Sequence, residues 1–311
     1  MHFNRSSTAQ EVALSADLRG RQIVLTGAAS GIGLDTARAL SLTGADIVLG
    51  VRDLARGRAL VDRLEGQGRV TLLPLDLSDF VSVVEFAGRI TGPVNYFIAN
   101  AGVSKTPQSH LSNGLELRFA TNHLGHFLLA LSLRAQMALS GARLIAVSSA
   151  AHKNCPVHLD DLQWRNRPHI DGLAYAESKS ANILFTQEAT RRWAALGIFA
   201  NAVLPGSALT GLQRYHGEAL KRRIGFIEED GSVNAMVKTS AQAAATTVWA
   251  TIAPELAGRG GLVLEDCAEA LPVGRDTHVW SGYDASVADP ATASALWDIS
   301  LDLLGDLLSV K

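Results

Sequence analysis

The chain has 311 residues, 47% hydrophobic and 19% charged, which supplies enough apolar material for a large core and excludes a disordered chain. Its net charge of −2 gives neither a basic field for nucleic acid nor an acidic one for cationic partners. The two cysteines, Cys155 and Cys267, lack metal-ligand spacing and are too few for a disulfide framework, so a reducing cytoplasmic location is predicted.

Strand and helix patterns alternate along the chain after a polar opening. Residues 1–20 are predicted to form an N-terminal leader, with one helical turn over 9–14 that packs on the body. No apolar window is long enough for a membrane span. Predicted strands cover 22–25, 45–50, 70–74, 94–99, 143–148, 198–204 and 261–265, and the helices after the first cover 54–65, 79–90, 114–139, 174–196, 240–252 and 290–308. This alternation predicts an α/β fold over residues 21–311: one doubly wound parallel sheet, a Rossmann fold of about seven strands.

The first strand ends in a glycine-rich turn, Q-I-V-L-T-G-A-A-S-G-I-G over 22–33, followed by an amphipathic helix pattern. Glycine tolerates positive φ and lets a ligand approach the backbone, and a helix N-terminus attracts a pyrophosphate. Ligands of such sheets lie beyond the carboxyl ends of the strands. The predicted coenzyme-binding residues at those ends are Gly27, Ser30, Gly31, Ile32, Gly33, Arg52, Asp76, Leu77, Asn100, Ala101, Gly102, Pro205 and Gly206.

The residue after strand two indicates which coenzyme is bound. A carboxylate usually holds the NAD ribose at this place, whereas here Val51 is followed by Arg52, which suits the 2′-phosphate of NADP. NADP(H) is therefore predicted, and NAD(H) is the weaker alternative. Asp53 leaves the choice open, because it either pairs with Arg52 or holds the ribose in a shifted register. Asp76 either meets the adenine edge or caps a helix.

Tyr175 and Lys179 stand four residues apart in Y-A-E-S-K, so their side chains share one helix face. A nearby ammonium favours the phenolate and lowers the pKa of the tyrosine, which then exchanges a proton with a carbonyl or alcohol oxygen. Tyrosine and lysine also share helix faces by chance, so the pair indicates a catalytic site only in combination with the other motifs.

Seven motifs together resemble the short-chain dehydrogenases/reductases in order and spacing. They are T-G-A-A-S-G-I-G (26–33), D-L (76–77), N-A-G (100–102), N-H-L-G-H-F (122–127), V-S-S (147–149), Y-A-E-S-K (175–179) and P-G-S-A-L-T (205–210). Three further motifs resemble the branch of this family that contains retinol dehydrogenases and WW-domain oxidoreductases. They are V-R-D after strand two, S-K-S-A-N-I-L-F-T and L-E-D-C. One departure is Ala99, where many members have asparagine.

The resemblance implies a role for each site residue. Tyr175 is the general acid/base, and Lys179 lowers its pKa and bonds the nicotinamide ribose. Ser149 steadies the substrate oxygen and bonds Tyr175, Asn122 bends its helix and holds a water next to Lys179, and Thr210 contacts the nicotinamide carboxamide. The implied reaction is NADP(H)-dependent interconversion of a ketone or aldehyde and an alcohol. Reduction of a carbon–carbon double bond and a non-catalytic NADP-binding regulator or scaffold remain as alternatives.

Two long segments, near 150–174 and 207–239, are predicted to shape the substrate pocket. Their apolar residues permit a lipophilic substrate: Trp164, Leu209, Leu212, Tyr215, Phe226 and Ile227. His152 and Cys155 are expected near the cleft, and neither is predicted to be a metal ligand or a nucleophile. The amphipathic C-terminal run is expected to pack on the body or on a second subunit, and the resemblance implies a homodimer or homotetramer built on the helices around Asn122 and Tyr175.

Overall fold

The computed structural model describes residues 2–62, 64, 66, 68–104, 109–170, 172–208, 217–273 and 280–305. Strands and helices alternate through most of this length. The strands are β1 Gln22–Thr26, β2 Asp46–Val51, β3 Val70–Pro74, β4 Tyr96–Ala99, β5 Arg143–Val147, β6 Phe199–Leu204, β7 Val263–Glu265, β8 Ala268–Glu269, β9 Pro272–Val273 and β10 Tyr283–Asp284. The helices are α1 Ala9–Ala13, α2 Gly31–Ser41, α3 Leu54–Val61, α4 Phe80–Gly88, α5 Leu117–Phe119, α6 Gly125–Ala138, α7 Leu173–Trp193, α8 Glu218–Arg223, α9 Ser240–Ile252 and α10 Pro290–Leu304.

The main sheet has the strand order β3-β2-β1-β4-β5-β6-β7-β8, and strands β1 to β7 all run parallel to one another. The order reverses direction between β1 and β4, which creates the crevice where ligands of doubly wound sheets bind. The described part of the sheet has one strand more than predicted, because β8 pairs antiparallel with β7. Two residues are too short a run for hydrophobic periodicity to detect.

Helices cover both faces of the sheet, as alternate side chains of the central strands show. In β1, Val24 faces one apolar cluster, whereas Ile23 and Leu25 face the other. β4 repeats this pattern, with Phe97 on the first side and Ile98 on the second. Strands buried on both faces are typical of parallel sheets with crossover helices. The doubly wound single-domain fold predicted from the sequence is thereby confirmed.

The C-terminal helix α10 packs on the outward side of α6 and α7. Trp297 meets Phe127 of α6 with ring centroids 4.8 Å apart, and Trp193 of α7 at 5.2 Å. The Arg192 guanidinium lies 5.0 Å from the centroid of the Trp297 ring and also pairs with Asp298. The prediction of packing on the body is therefore confirmed for this helix. None of the helices within the described ranges is long and apolar enough to cross a membrane.

Candidate active site

The glycine-rich turn after β1 brings three backbone segments closer than side chains permit. Gly27 has φ of +74°, and a Cβ there would lie 2.7 Å from Ala101 Cα. A Cβ on Gly33 would lie 2.3 Å from the carbonyl oxygen of Gly27 and 2.4 Å from Asn100 Nδ2. Ser30 precedes α2 and places no side-chain hydrogen bond on its first turn, so backbone N–H groups stay available for an anion. The cradle fits the pyrophosphate of a dinucleotide coenzyme.

We expect Gly33→Ala to destabilise the protein by about 1–3 kcal/mol and to abolish detectable coenzyme binding, because the Gly27 backbone and the hydrogen-bonded Asn100 amide leave no room for a Cβ. Urea unfolding and coenzyme fluorescence titration measure the two effects. Gly88→Ala in α4 is the matched control, since a Cβ there meets nothing within 4 Å. That change should leave binding intact and alter stability by no more than about 1 kcal/mol. Equal behaviour of the two variants would contradict the tight-turn assignment.

Arg52 and Asp53 follow the end of β2 at the same sheet edge. The carboxylate of Asp53 accepts a hydrogen bond from the backbone N–H of Arg56 at 3.0 Å and so caps α3. Within the described part of the chain Arg52 has neither an ion pair with Asp53 nor another side-chain partner, and it is exposed. Of the alternatives for Asp53, pairing with Arg52 is therefore excluded in this structure, and the guanidinium is available for a ligand.

Asp76 and Leu77 lie between β3 and α4. Asp76 Oδ1 accepts from the backbone N–H and hydroxyl of Ser78, at 2.9 and 2.6 Å, while the helix cap is Asp79. Asp76 is therefore not the N-cap of α4. Leu77 is buried, and a Cβ on Gly125 would lie 2.3 Å from its carbonyl oxygen. The glycine of the N-H-L-G-H-F motif thus allows α6 to lie directly against this loop.

The N-A-G segment after β4 braces the glycine-rich turn. Asn100 Nδ2 donates to the carbonyl oxygens of Thr26 and Gly27 at 2.9 and 3.3 Å. The backbone N–H groups of Asn100 and Ala101 both donate to Thr26 Oγ1 at 3.0 Å. Gly102 comes next, and a Cβ on it would lie 3.2 Å from Asn122 Oδ1. Asn100 therefore shapes the cradle, and its side-chain amide donates to the protein backbone.

Tyr175, Ser149 and Lys179 come together where β5 ends and α7 begins. The side chain of Ser149 lies close enough to the Tyr175 phenol to lower its pKa, and Lys179 Nζ lies 5.7 Å from the centroid of the Tyr175 ring. The buried ammonium donates to the carbonyl oxygen of Val147 at 2.8 Å. Ser148 faces the other way and bonds the carbonyl oxygen of Lys179 at 2.7 Å. Of the two serines, only Ser149 reaches the phenol.

Burial dominates the titration of this group. Desolvation raises the pKa of Tyr175, and the Ser149 side chain only partly offsets this rise. Desolvation also lowers the pKa of Lys179 to about 8. This direction is opposite to the sequence-based expectation of a lowered tyrosine pKa, because in the coenzyme-free protein the loss of water around the phenolate is the largest effect. At neutral pH the phenol therefore keeps its proton and is ready to donate it.

Asn122 lies in a π turn, Ala120–Leu124, between α5 and α6. Its Oδ1 accepts from the backbone N–H of Val103 at 2.8 Å, and its Nδ2 donates to Val103 O and Ser178 Oγ, both at 2.9 Å. The turn explains the predicted bend: the helix continues from Leu117 to Ala138 with one locally widened turn, a feature frequent at functional sites. Asn122 thus joins the N-A-G segment to the helix that carries Tyr175.

His123 in the same π turn is buried, and desolvation lowers its pKa to about 3. Because the folded-state pKa is below the unfolded value near 6.5, the unfolded chain binds more protons and stability falls as pH drops through 6.5. Between pH 7 and pH 5 we expect the free energy of unfolding to fall by about 2 kcal/mol less in His123→Gln than in the parent protein. Urea unfolding at both pH values measures this difference. Equal losses would show that His123 is protonated in the folded protein.

His152 and Cys155, expected near the cleft, are both buried. His152 Nδ1 bonds the carbonyl oxygen of Ser149 at 2.6 Å, and its Nε2 accepts from the backbone N–H of Asp284 at 3.1 Å. The ring thus fixes the backbone of Ser149, as expected of a residue near it, and both of its nitrogens are bonded within the protein.

Cys155, His158 and Glu177 place potential metal-ligating atoms within 4.8 Å of one another. Arg167 already pairs with Glu177 Oε2 at 2.9 Å, and it also pairs with Asp161. A metal ion would have to displace this guanidinium, and burial raises the pKa of the Cys155 thiol to about 11. The cluster therefore acts as an ion-pair network that fastens the 150–170 loop to α7.

Pro205 and Gly206 follow β6, and Gly206 has φ of +81°. Thr210, predicted to meet the carboxamide, lies outside the described residues. Sequence reasoning missed Lys238, which is buried beside this turn and pairs with Asp266 at 2.5 Å. A Cβ on Gly206 would lie 3.0 Å from the Lys238 side chain. Nothing in the sequence around Lys238 signals this contact, because 32 residues separate the two positions.

A helical tyrosine and lysine beside a dinucleotide cradle define a class of coenzyme-dependent oxidoreductases, and comparisons with known proteins give the same class. The profile of the short chain dehydrogenase family matches residues 21–221. A probable oxidoreductase of Streptomyces antibioticus is 42% identical, with 93% of this chain and 99% of that protein covered. A WW domain-containing oxidoreductase of Danio rerio is 33% identical, with 96% of this chain and 72% of that protein covered.

Solved structures agree with this match. The crystal structure of an uncharacterised protein from Mycobacterium Paratuberculosis superposes with a TM-score of 0.72 at 32% identity, covering 94% of this chain and 96% of that one. The chain belongs to the short-chain dehydrogenase/reductase family and is an oxidoreductase of that family. The similarity to WW domain-containing oxidoreductases also confirms the branch inferred from the motifs.

Proposed function

We propose that the protein is an NADP(H)-dependent oxidoreductase that interconverts a ketone or aldehyde and an alcohol. The observation that carries this proposal is the position of Tyr175 beside the glycine cradle: the Lys179 ammonium lies 5.7 Å from its ring centroid, and the Ser149 side chain lowers the pKa of its phenol. The chemistry needs a proton donor at the carbonyl oxygen, and a phenol held by these two groups can supply it.

Each residue has a separate task in the reducing direction. The bound coenzyme supplies the hydride. Tyr175 protonates the substrate oxygen, and Ser149 holds both that oxygen and the phenol in place. Lys179 stabilises the phenolate that remains, because an adjacent positive charge favours it. Asn122 keeps the helix of Tyr175 and Lys179 aligned with the N-A-G segment through its bonds to Val103 and Ser178.

The preference for NADP rests on Arg52. Its guanidinium is exposed at the end of β2, where the coenzyme ribose lies in this fold, and the adjacent Asp53 is used as a helix cap. An arginine binds phosphate through paired charge-assisted hydrogen bonds.

The structure gives the lipophilic-substrate hypothesis little support. Trp164 is buried beneath Arg167, whose guanidinium lies 4.0 Å from the ring centroid, and Phe226 is buried against Trp280. Leu209, Leu212 and Tyr215 lie outside the described residues. The proposed substrate is therefore defined by its carbonyl or hydroxyl group.

A panel of aldehydes, ketones, steroids and polyketide-like carbonyls with NADPH tests the function. A new hydroxyl in the product supports the proposal, whereas a saturated carbon–carbon bond beside an intact carbonyl supports the double-bond reductase. A protein that binds NADPH but turns over nothing in the panel would be the regulator or scaffold. The presence of both Tyr175 and Lys179, with Nζ 5.7 Å from the ring centroid, argues against the regulator or scaffold.

The homodimer or homotetramer and the cytoplasmic location remain proposals. In this structure α10 covers the outward sides of α6 and α7, which are the helices that the family resemblance assigns to pairing. Subunits that pair through these helices would have to displace Trp297. Sedimentation analysis of the protein determines its oligomeric state.

A further inference from the structure

His126, in the first turn of α6, is buried and uses both ring nitrogens. Its Nδ1 lies 3.0 Å from the carbonyl oxygen of Asn122, and its Nε2 lies 2.8 Å from Thr26 Oγ1. A carbonyl oxygen can only accept, so Nδ1 carries the hydrogen. Nε2 is then the acceptor for the Thr26 hydroxyl. The two contacts together require one neutral tautomer of the ring.

The contacts of Thr26 are consistent with this assignment. Its hydroxyl oxygen already accepts from the N–H groups of Asn100 and Ala101, both at 3.0 Å, which leaves the hydroxyl hydrogen to be donated. Besides His126, the only acceptor near Thr26 within the described chain is the carbonyl oxygen of Ile98, at 3.5 Å. The shorter contact at 2.8 Å is with the imidazole. Thr26 thereby connects His126 to the glycine cradle.

The other ring nitrogen of His126, Nδ1, bonds the main chain of Asn122, which the hydrogen bonds of the Asn122 side chain do not involve. The Asn122 amide is occupied by Val103 and Ser178, and His126 takes the main-chain carbonyl of the same residue. Burial and the nearby Lys179 charge lower the pKa of His126 to about 4. The ring therefore stays neutral at physiological pH, and a second proton would break the bond to Thr26.

We infer that His126 is a positioning residue that links the coenzyme-binding turn, through Thr26, to the main chain of Asn122. The inference rests on the proposed function of this site. The two ring nitrogens have separate roles: Nε2 holds the glycine cradle through Thr26, and Nδ1 holds the main chain of Asn122.

Two substitutions separate these contacts. In His126→Asn the amide nitrogen takes the place of Nδ1, so the bond to Asn122 is kept and the bond to Thr26 is lost. In His126→Gln the longer amide reaches Thr26 and gives up Asn122. Loss of one neutral hydrogen bond corresponds to about a fivefold effect. We expect His126→Asn to weaken NADPH binding about fivefold more than His126→Gln, and His126→Gln to lower kcat about fivefold more than His126→Asn.

NADPH fluorescence titration and steady-state kinetics measure the two effects, with exposed His2→Gln as the control. Equal losses of affinity and of kcat in both variants would show that His126 only fills space, and would overturn the inference.

A third measurement needs no turnover. In protein labelled with ¹⁵N-histidine, the imidazole signal that disappears in His126→Gln should show a protonated Nδ1 and a bare Nε2, unchanged from pH 8 to pH 5.5. A protonated Nε2, or titration near pH 6.5, would overturn the inference. If no carbonyl is turned over at all, the proposed function fails, while the tautomer and the NADPH affinities still test the role of His126.

Discussion

Tyr175→Phe should reduce carbonyl turnover by about 10²–10⁴-fold, because the variant keeps the ring and loses the proton that the substrate oxygen takes up. Coenzyme affinity should change little, since the cradle is built by Gly27, Gly33 and Asn100 in other parts of the fold. The aromatic ring still fills its place beside Lys179. Steady-state kinetics with NADPH and the best carbonyl of the panel give the turnover, and fluorescence titration gives the affinity.

Tyr96→Phe is the matched control for this experiment. Tyr96 begins β4, at the amino end of the strand and so at the opposite edge of the sheet from the glycine cradle. The same chemical change there should leave kcat and NADPH affinity as in the parent protein. If Tyr175→Phe retained full turnover, the proton donor would be another group and the assigned role of Tyr175 would be wrong.

Arg52→Ala should weaken NADPH binding by about 10–100-fold and NADH binding by less than about threefold. The difference arises because a charge-assisted pair with a phosphate contributes about 1.5–3 kcal/mol, and NADH has no 2′-phosphate. The loss should shrink as salt is raised, since the guanidinium is exposed and its charge is screened. Fluorescence titrations with both coenzymes at two salt concentrations measure these effects.

Arg89→Ala supplies the control for Arg52→Ala. Arg89 is exposed and follows α4 near the start of β1, at the far edge of the sheet. Its removal changes the net charge by the same amount and should leave the ratio of NADPH to NADH affinity unaltered. An equal loss of both coenzymes in Arg52→Ala would mean that the guanidinium supports the adenosine generally, and the NADP preference would have to be withdrawn.

The predicted secondary structure agrees with the structure at both ends of several elements. The strand over 70–74 and the helix over 240–252 match β3 and α9 at both ends. The differences are local: β4 begins at Tyr96, two residues later than predicted, and the long central helix contains a π turn. A period of 3.6 residues is barely disturbed by one widened turn, so periodicity cannot reveal it.

The amino-acid sequence by itself determined the class of fold, and it predicted the cradle and the pairing of Tyr175 with Lys179. These follow from local rules: strand and helix periods, glycine tolerance of positive φ, and side chains four apart on a helix. The grouping of Asn122 and Ser149 with that pair came from the family resemblance of the motifs. Only the tertiary structure decided how Asp53, His126, His152 and Lys238 are used, and in which direction burial moves the pKa of Tyr175. Most of those properties depend on which distant segments meet and exclude water. The pattern of residues along the chain does not give the distances between such segments.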